Sequence, residues 1–161
     1  MNYPAAAFVD VLDLYHALKT STQGKVDYVK YIQWLNANFD IRYAKAYCNQ
    51  DAAAFQRMLQ AIGFDVYTGR HTHAFELVMD ALDVAKNCDT VILGSTGPYV
   101  PSLAKRLKAL GKRVIIFAAN IPEEYTTLGT LYRVETILFE TASAKDDPTQ
   151  PAAVESPDPT S

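Results

Sequence analysis

Short unbroken apolar runs alternate along this chain with segments of helical period, and that alternation restricts the fold more than any other property. AAAFV (5–9), VILG (91–94) and RVIIF (113–117) are bounded by polar or turn residues. A strand that is apolar on both faces needs cover on both, the condition of strands inside a parallel sheet. LDLYHALKT (12–20), VDYVKYIQWLNANF (26–39), AAAFQRMLQAI (52–62), AFELVMDALDVA (74–85) and YVPSLAKRLKAL (99–110) instead space apolar residues at i, i+3 and i+4. That is the pattern of helices with one buried stripe. Gly63 and Gly111 stand where C-terminal caps belong. DIRYAKAYC (40–48), FDVYT (64–68) and VETILFE (134–140) supply the remaining strands. Strands separated by helices imply βαβ units, and right-handed crossovers stack these into an α/β three-layer sandwich with a mainly parallel central sheet.

Composition agrees. Of 161 residues, 49% are hydrophobic and 20% charged, enough for one domain with a true core. No apolar run approaches the roughly 18–20 residues that span a bilayer, so no membrane role is expected. The opening MNYPAAAFVDVL has no basic segment and meets Asp10 early, unlike a secretory signal. Cys48 and Cys88 lie far apart without metal-ligand spacing, and two reduced core thiols in a cytoplasmic protein are expected. The net charge of −3 is unevenly placed. Four of the eighteen acids (Asp146, Asp147, Glu155, Asp158) and one of the fifteen bases (Lys145) fall in 141–161, leaving fourteen of each before it. That last segment, with four prolines and no aromatic residue, reads as a disordered acidic tail behind a neutral domain at 1–140.

In open parallel sheets ligands bind at the carboxyl ends of strands. Three loops qualify: Asp10–Asp13, Thr68–His73 and Gly94–Pro98. Their residues resemble those of NYN domains, the PIN-like nuclease family that includes LabA-type proteins. FVDVLDLYHAL (8–18) is similar to the family's opening strand and its Asp-Gly-x-Asn-Leu-Tyr turn. RYAKAYC resembles the second strand, and FQRMLQAIGFDVYT the helix and strand that follow. HAFELVMDALDVA resembles the Lys-Gly-x-Asp helix, and CDTVILGSTGPYVPSLAKRLKALGKRVIIF the Ser-Gly-Asp-x-Asp turn with its flanking elements. The resemblance spans about 5–140. It implies a PIN-like fold and, in active members, a ribonuclease that gathers carboxylates around Mg²⁺ or Mn²⁺, whose paired cations clamp a phosphodiester.

Carried over position by position, the match is uneven. Asp10 matches the first-strand aspartate, Val11 stands for the following glycine, and Asp13 for asparagine. His73 and Ala74 replace Lys-Gly, Glu76 holds the first helix carboxylate, and Asp80 adds an acid one turn on. Thr96 and Pro98 occupy the two aspartate positions of the strongest motif. One wall of the acidic site is therefore missing, and a degenerate, non-catalytic member is expected, with no cofactor. Asp10, Glu76 and Asp80 are the residual catalytic candidates, and with Asp13 the candidate ligands for Mg²⁺ or Mn²⁺. Against this, Asp13 reads equally as a helix cap, and Glu76 and Asp80 as solvated charges.

At GSTGP (94–98), Ser95, Thr96 and backbone N–H groups at a helix start suit an anion such as phosphate. In the competing reading Thr96 caps the helix and Pro98 takes its first position. Arg70 and His73 in GRHTH, and Lys105 and Lys108 in KRLKALGKR, are candidate nucleic-acid contacts or an ordinary polar surface. Tyr28, Tyr31 and Trp34, at helical spacing, stack bases or pack the core. The resemblance implies RNA or another nucleic acid as ligand. A metal-dependent ribonuclease with a reduced acid set, and a protein-interaction or oligomerisation module with a vestigial cleft, are the alternatives.

Overall fold

Continuous apolar segments become the inner strands of one all-parallel sheet. The computed structural model describes residues 4–21, 26–49, 53–69 and 73–134. Its strands are β1 (Pro4–Asp10), β2 (Asp40–Asn49), β3 (Asp65–Gly69), β4 (Thr90–Gly94), β5 (Arg113–Ala118) and β6 (Thr130–Arg133), in the order β3-β2-β1-β4-β5-β6. The helices are α1 (Val11–Ser21), α2 (Tyr28–Asn38), α3 (Ala53–Ala61), α4 (His73–Val84) and α5 (Val100–Ala109). Strands and helices together form the expected α/β three-layer sandwich. No helix among the described residues is long and apolar enough to cross a membrane.

β1 lies at the centre. Ala7 pairs with Ala44 of β2 on one side and Ile92 of β4 on the other, and Ala5 through Val9 are wholly buried. On β2, Ala44, Ala46 and Cys48 alternate with Tyr43, Lys45 and Tyr47, so the larger polar side chains share one face. α2 begins where Asp27 accepts the backbone N–H of Lys30 at 3.1 Å. Its buried Tyr28, Tyr31, Ile32 and Leu35 form the stripe that the spacing predicts. Tyr31 stacks on Phe117 of β5 at 4.3 Å between ring centroids, and its hydroxyl donates to the Phe117 carbonyl at 2.8 Å. The aromatic residues of α2 thus serve the core, as Trp34 also does, its ring 4.4 Å from that of Phe117.

Several boundaries differ from expectation. Among the described residues the sixth strand is Thr130–Arg133, which the sequence pattern does not predict, and the strand expected at 134–140 lies, Val134 apart, outside them. Residues 135–140, the acidic tail at 141–161 and Arg70 lie outside the described residues. α5 starts at Val100 with Pro101 in its first turn, so Pro98 stays in the preceding turn. Gly63 and Gly111 have φ of 117° and 80°, a region that suits the caps expected of them. Cys48 and Cys88 are buried and carry no disulfide.

Candidate functional site

The strand order reverses at β1, whose neighbours β2 and β4 are reached by connections running opposite ways, and the carboxyl ends at such a point are where open parallel sheets form their crevice. Asp10 closes β1 beside Gly94, which closes β4. Asp10 is only 8% exposed. Its Oδ1 accepts the backbone N–H of Asp13 at 3.1 Å, so Asp10, and not Asp13, caps the first turn of α1. Its Oδ2 faces the hydroxyl of Tyr99 at 3.2 Å.

Asp13 reaches across to the turn after β4. Its Oδ2 accepts the backbone N–H of Thr96 at 2.8 Å and lies 3.4 Å from the Thr96 hydroxyl. Ser95 is fully buried, and its Oγ accepts the N–H of Gly97 at 3.0 Å and meets the Tyr99 hydroxyl at 2.7 Å. A phenol has one proton, so Tyr99 donates to one of Asp10 and Ser95 and leaves its oxygen to the other. Tyr125, in the short helical turn Glu123–Thr127, points its hydroxyl at the carbonyls of Thr96 (3.2 Å) and Gly97 (3.4 Å). The Ser95–Thr96 wall expected to hold an anion is therefore turned inward, because the N–H groups of Thr96 and Gly97 already have protein acceptors.

Burial lifts the Asp10 carboxyl above its ordinary value, while the Asp13 N–H pulls the other way and does not cancel the rise. The folded state then keeps a proton on Asp10 over a pH window in which the unfolded chain has released it. Stability owed to this group falls as pH rises through that window. Asp10→Asn should remove that slope, which urea unfolding of both proteins across acidic to neutral pH measures. Parallel pH profiles would contradict it.

Of the two helix acids, Asp80 is engaged by β2. Asp80 Oδ2 accepts from Lys45 Nζ and from the Tyr47 hydroxyl, both at 2.7 Å. Lys45 lies over the rings of Tyr47 and Tyr67, 5.5 and 5.9 Å from their centroids. Burial, then the Asp80 carboxylate, drives the Tyr47 phenol far above its ordinary range. Glu76 is half-buried in the first turn of α4. His73, which opens that helix, places Nε2 2.6 Å from the Cys48 carbonyl. The structure thus brings Asp10, Asp13, Ser95 and Thr96 together and gives Asp80 to a cation on β2.

A divalent cation of the Mg²⁺ type needs several oxygen ligands with free lone pairs. Here two carboxylates each already accept protein donors, and Thr96 and Pro98 add none. Among the described residues, no three His, Cys, Asp or Glu side chains are placed to hold a metal ion. The donor set does not fit the cation.

The basic residues follow a different line. Lys105, Arg106 and Lys108 are exposed on α5, which as a crossover helix runs back from the crevice toward the opposite end of the sheet. Lys108 Nζ donates to the Thr127 carbonyl at 3.2 Å. Tyr99, Lys45 and Tyr47 were not among the expected site residues. Tyr99 stands one helical turn beyond Ser95, and Lys45 and Tyr47 alternate along β2, but neither spacing names a partner.

A parallel α/β sandwich with an acidic crevice at its switch point is the architecture of PIN-like proteins. The chain belongs to the NYN domain family, whose model matches residues 4–142. It is similar in fold to the crystal structure of VPA0982, a protein of unknown function from Vibrio parahaemolyticus RIMD 2210633, with a TM-score of 0.72 and 20% identity over 82% of this chain and 92% of that one. No curated protein matches the chain.

Proposed function

We propose that this chain is a non-catalytic NYN domain that binds RNA or another nucleic acid. The observation that carries the reading is the closed network at the crevice: Asp10 and Asp13 are engaged by Asp13 N–H, Tyr99, and the Thr96 N–H and hydroxyl. Carboxylates satisfied in this way are poor clamps for a phosphodiester and its cations. Nucleic acid follows from the family, and the exposed Lys105 and Arg106 supply sequence-independent phosphate contacts.

Single-stranded RNA incubated with the full chain and Mn²⁺ should be cleaved no faster than in a metal-free control. Cleavage abolished by Asp10→Asn would establish the ribonuclease instead. Binding followed by anisotropy at several salt concentrations should weaken steeply with salt, and Lys105→Ala should lower the slope by about one. Undetectable binding at low salt would remove the nucleic-acid reading.

A protein-interaction module has its own support on α4. Phe75 is 64% exposed and Met79 53%, and the two share a face one turn apart. Should that face hold a second copy, sedimentation will show self-association that Phe75→Ser with Met79→Ser abolishes. A monomer at all concentrations disposes of the homo-oligomer.

A further inference from the structure

We propose that Tyr99 keeps this crevice closed to divalent cations, its hydroxyl standing where a metal would otherwise bridge Asp10 to the turn after β4. The inference deepens the non-catalytic reading and rests on it. Three observations converge. The Tyr99 oxygen lies between Asp10 Oδ2 at 3.2 Å and Ser95 Oγ at 2.7 Å, completing by hydrogen bonds what coordination would complete by oxygen–metal bonds. The ring is folded back over Gly97, where an added Cβ would meet the ring carbon Cε1 at 2.7 Å, so the absence of a side chain at 97 is what admits it. The turn bearing it is fixed from both sides, by Asp13 on the Thr96 N–H and by Tyr125 on the Thr96 and Gly97 carbonyls. A cation at Asp10 would have to displace a half-buried phenol and leave the buried Ser95 without that partner. The loss of the two motif acids and the presence of this hydroxyl are thus separate barriers to a metal.

The two barriers can be removed one at a time. Mn²⁺ alone is titrated into the full chain by calorimetry, with electron paramagnetic resonance reading the free ion. Wild type should show no saturable binding and Thr96→Asp only weak binding, since Tyr99 remains in place. Thr96→Asp combined with Tyr99→Ala should bind Mn²⁺ at least about tenfold more tightly than Thr96→Asp alone, the size of effect expected when a partner of a ligand is changed. Asp10→Asn in that background should abolish the gain. Circular dichroism checks the fold of each variant. Should the alanine variant unfold, Thr96→Asp with Tyr99→Phe, which keeps the ring and removes the hydroxyl, decides by the same criterion. Equal Mn²⁺ affinity with and without Tyr99 overturns the inference, as does a folded double variant that binds none. Saturable Mn²⁺ binding by wild type that Asp10→Asn removes overturns it too. RNA binding by wild type is scored separately: its absence overturns the nucleic-acid reading and leaves the Mn²⁺ comparison standing.

Discussion

Phe117→Ala should destabilise the protein by about 3–5 kcal/mol, the usual cost of emptying a buried aromatic site. Phe117 is wholly buried in β5 and is packed by Tyr31 at 4.3 Å and Trp34 at 4.4 Å. No small shift of one neighbour refills the space, because Tyr31 is also tied to the Phe117 carbonyl. Phe117→Leu keeps most of the volume and gives up the ring stacking, so about 1–1.5 kcal/mol is expected there. Urea unfolding with an unchanged m-value checks both. A Phe117→Ala cost below about 1 kcal/mol would mean that α2 does not rest on the sheet as described.

The second large effect concerns Asp80. Asp80→Ala should cost about 1–3 kcal/mol, since it strands the Lys45 ammonium and the Tyr47 hydroxyl in a partly buried place. The pair is not fully dry, with side-chain exposure of 17% for Lys45 and 29% for Asp80, so the cost stays below that of a deep ion pair. Lys45→Met together with Asp80→Leu should recover the part of the loss owed to Lys45, because removing both charges leaves neither unpaired, while the Tyr47 hydroxyl stays without its acceptor. That recovery, read from denaturant midpoints, marks Asp80 as a group held for the fold. A double variant as unstable as Asp80→Ala would show that the charge on Lys45 is not what Asp80 satisfies.

Apolar runs announced β1, β4 and β5 because these strands are covered on both faces and tolerate few polar residues. The edge strand β6 did not announce itself. Thr130–Arg133 is only partly buried and mixes polar with apolar residues, so it carries no apolar run to mark it as a strand. The site was legible as a set of positions and much less so as a set of bonds. Asp10 stands where the family keeps its first acid and Asp13 where it keeps an asparagine, and the missing acids at Thr96 and Pro98 were visible at once. The partner of Asp13 lies 83 residues away, and no local spacing reveals that its carboxylate holds the Thr96 N–H. The same distance explains the misplaced cap. Thr96 has the composition of a helix start, but its N–H and hydroxyl are drawn toward α1, and the helix begins four residues later.

Placing the first strand in the middle of the sheet also sets an order of assembly. On one side β1 pairs with β2, as at Ala5 with Ile41, while on the other Ala5 must wait for Thr90. Closing the longer loop costs more chain entropy, and such distant pairings slow folding. The half-sheet β3-β2-β1 can therefore form as soon as those segments leave the ribosome. Its β1 edge, made of AAAFV, then stays open until β4 arrives to cover it. A strongly apolar strand thus keeps one edge open while β3 and α4 are made, and the crevice with its Tyr99 hydroxyl comes into being only when that edge is sealed.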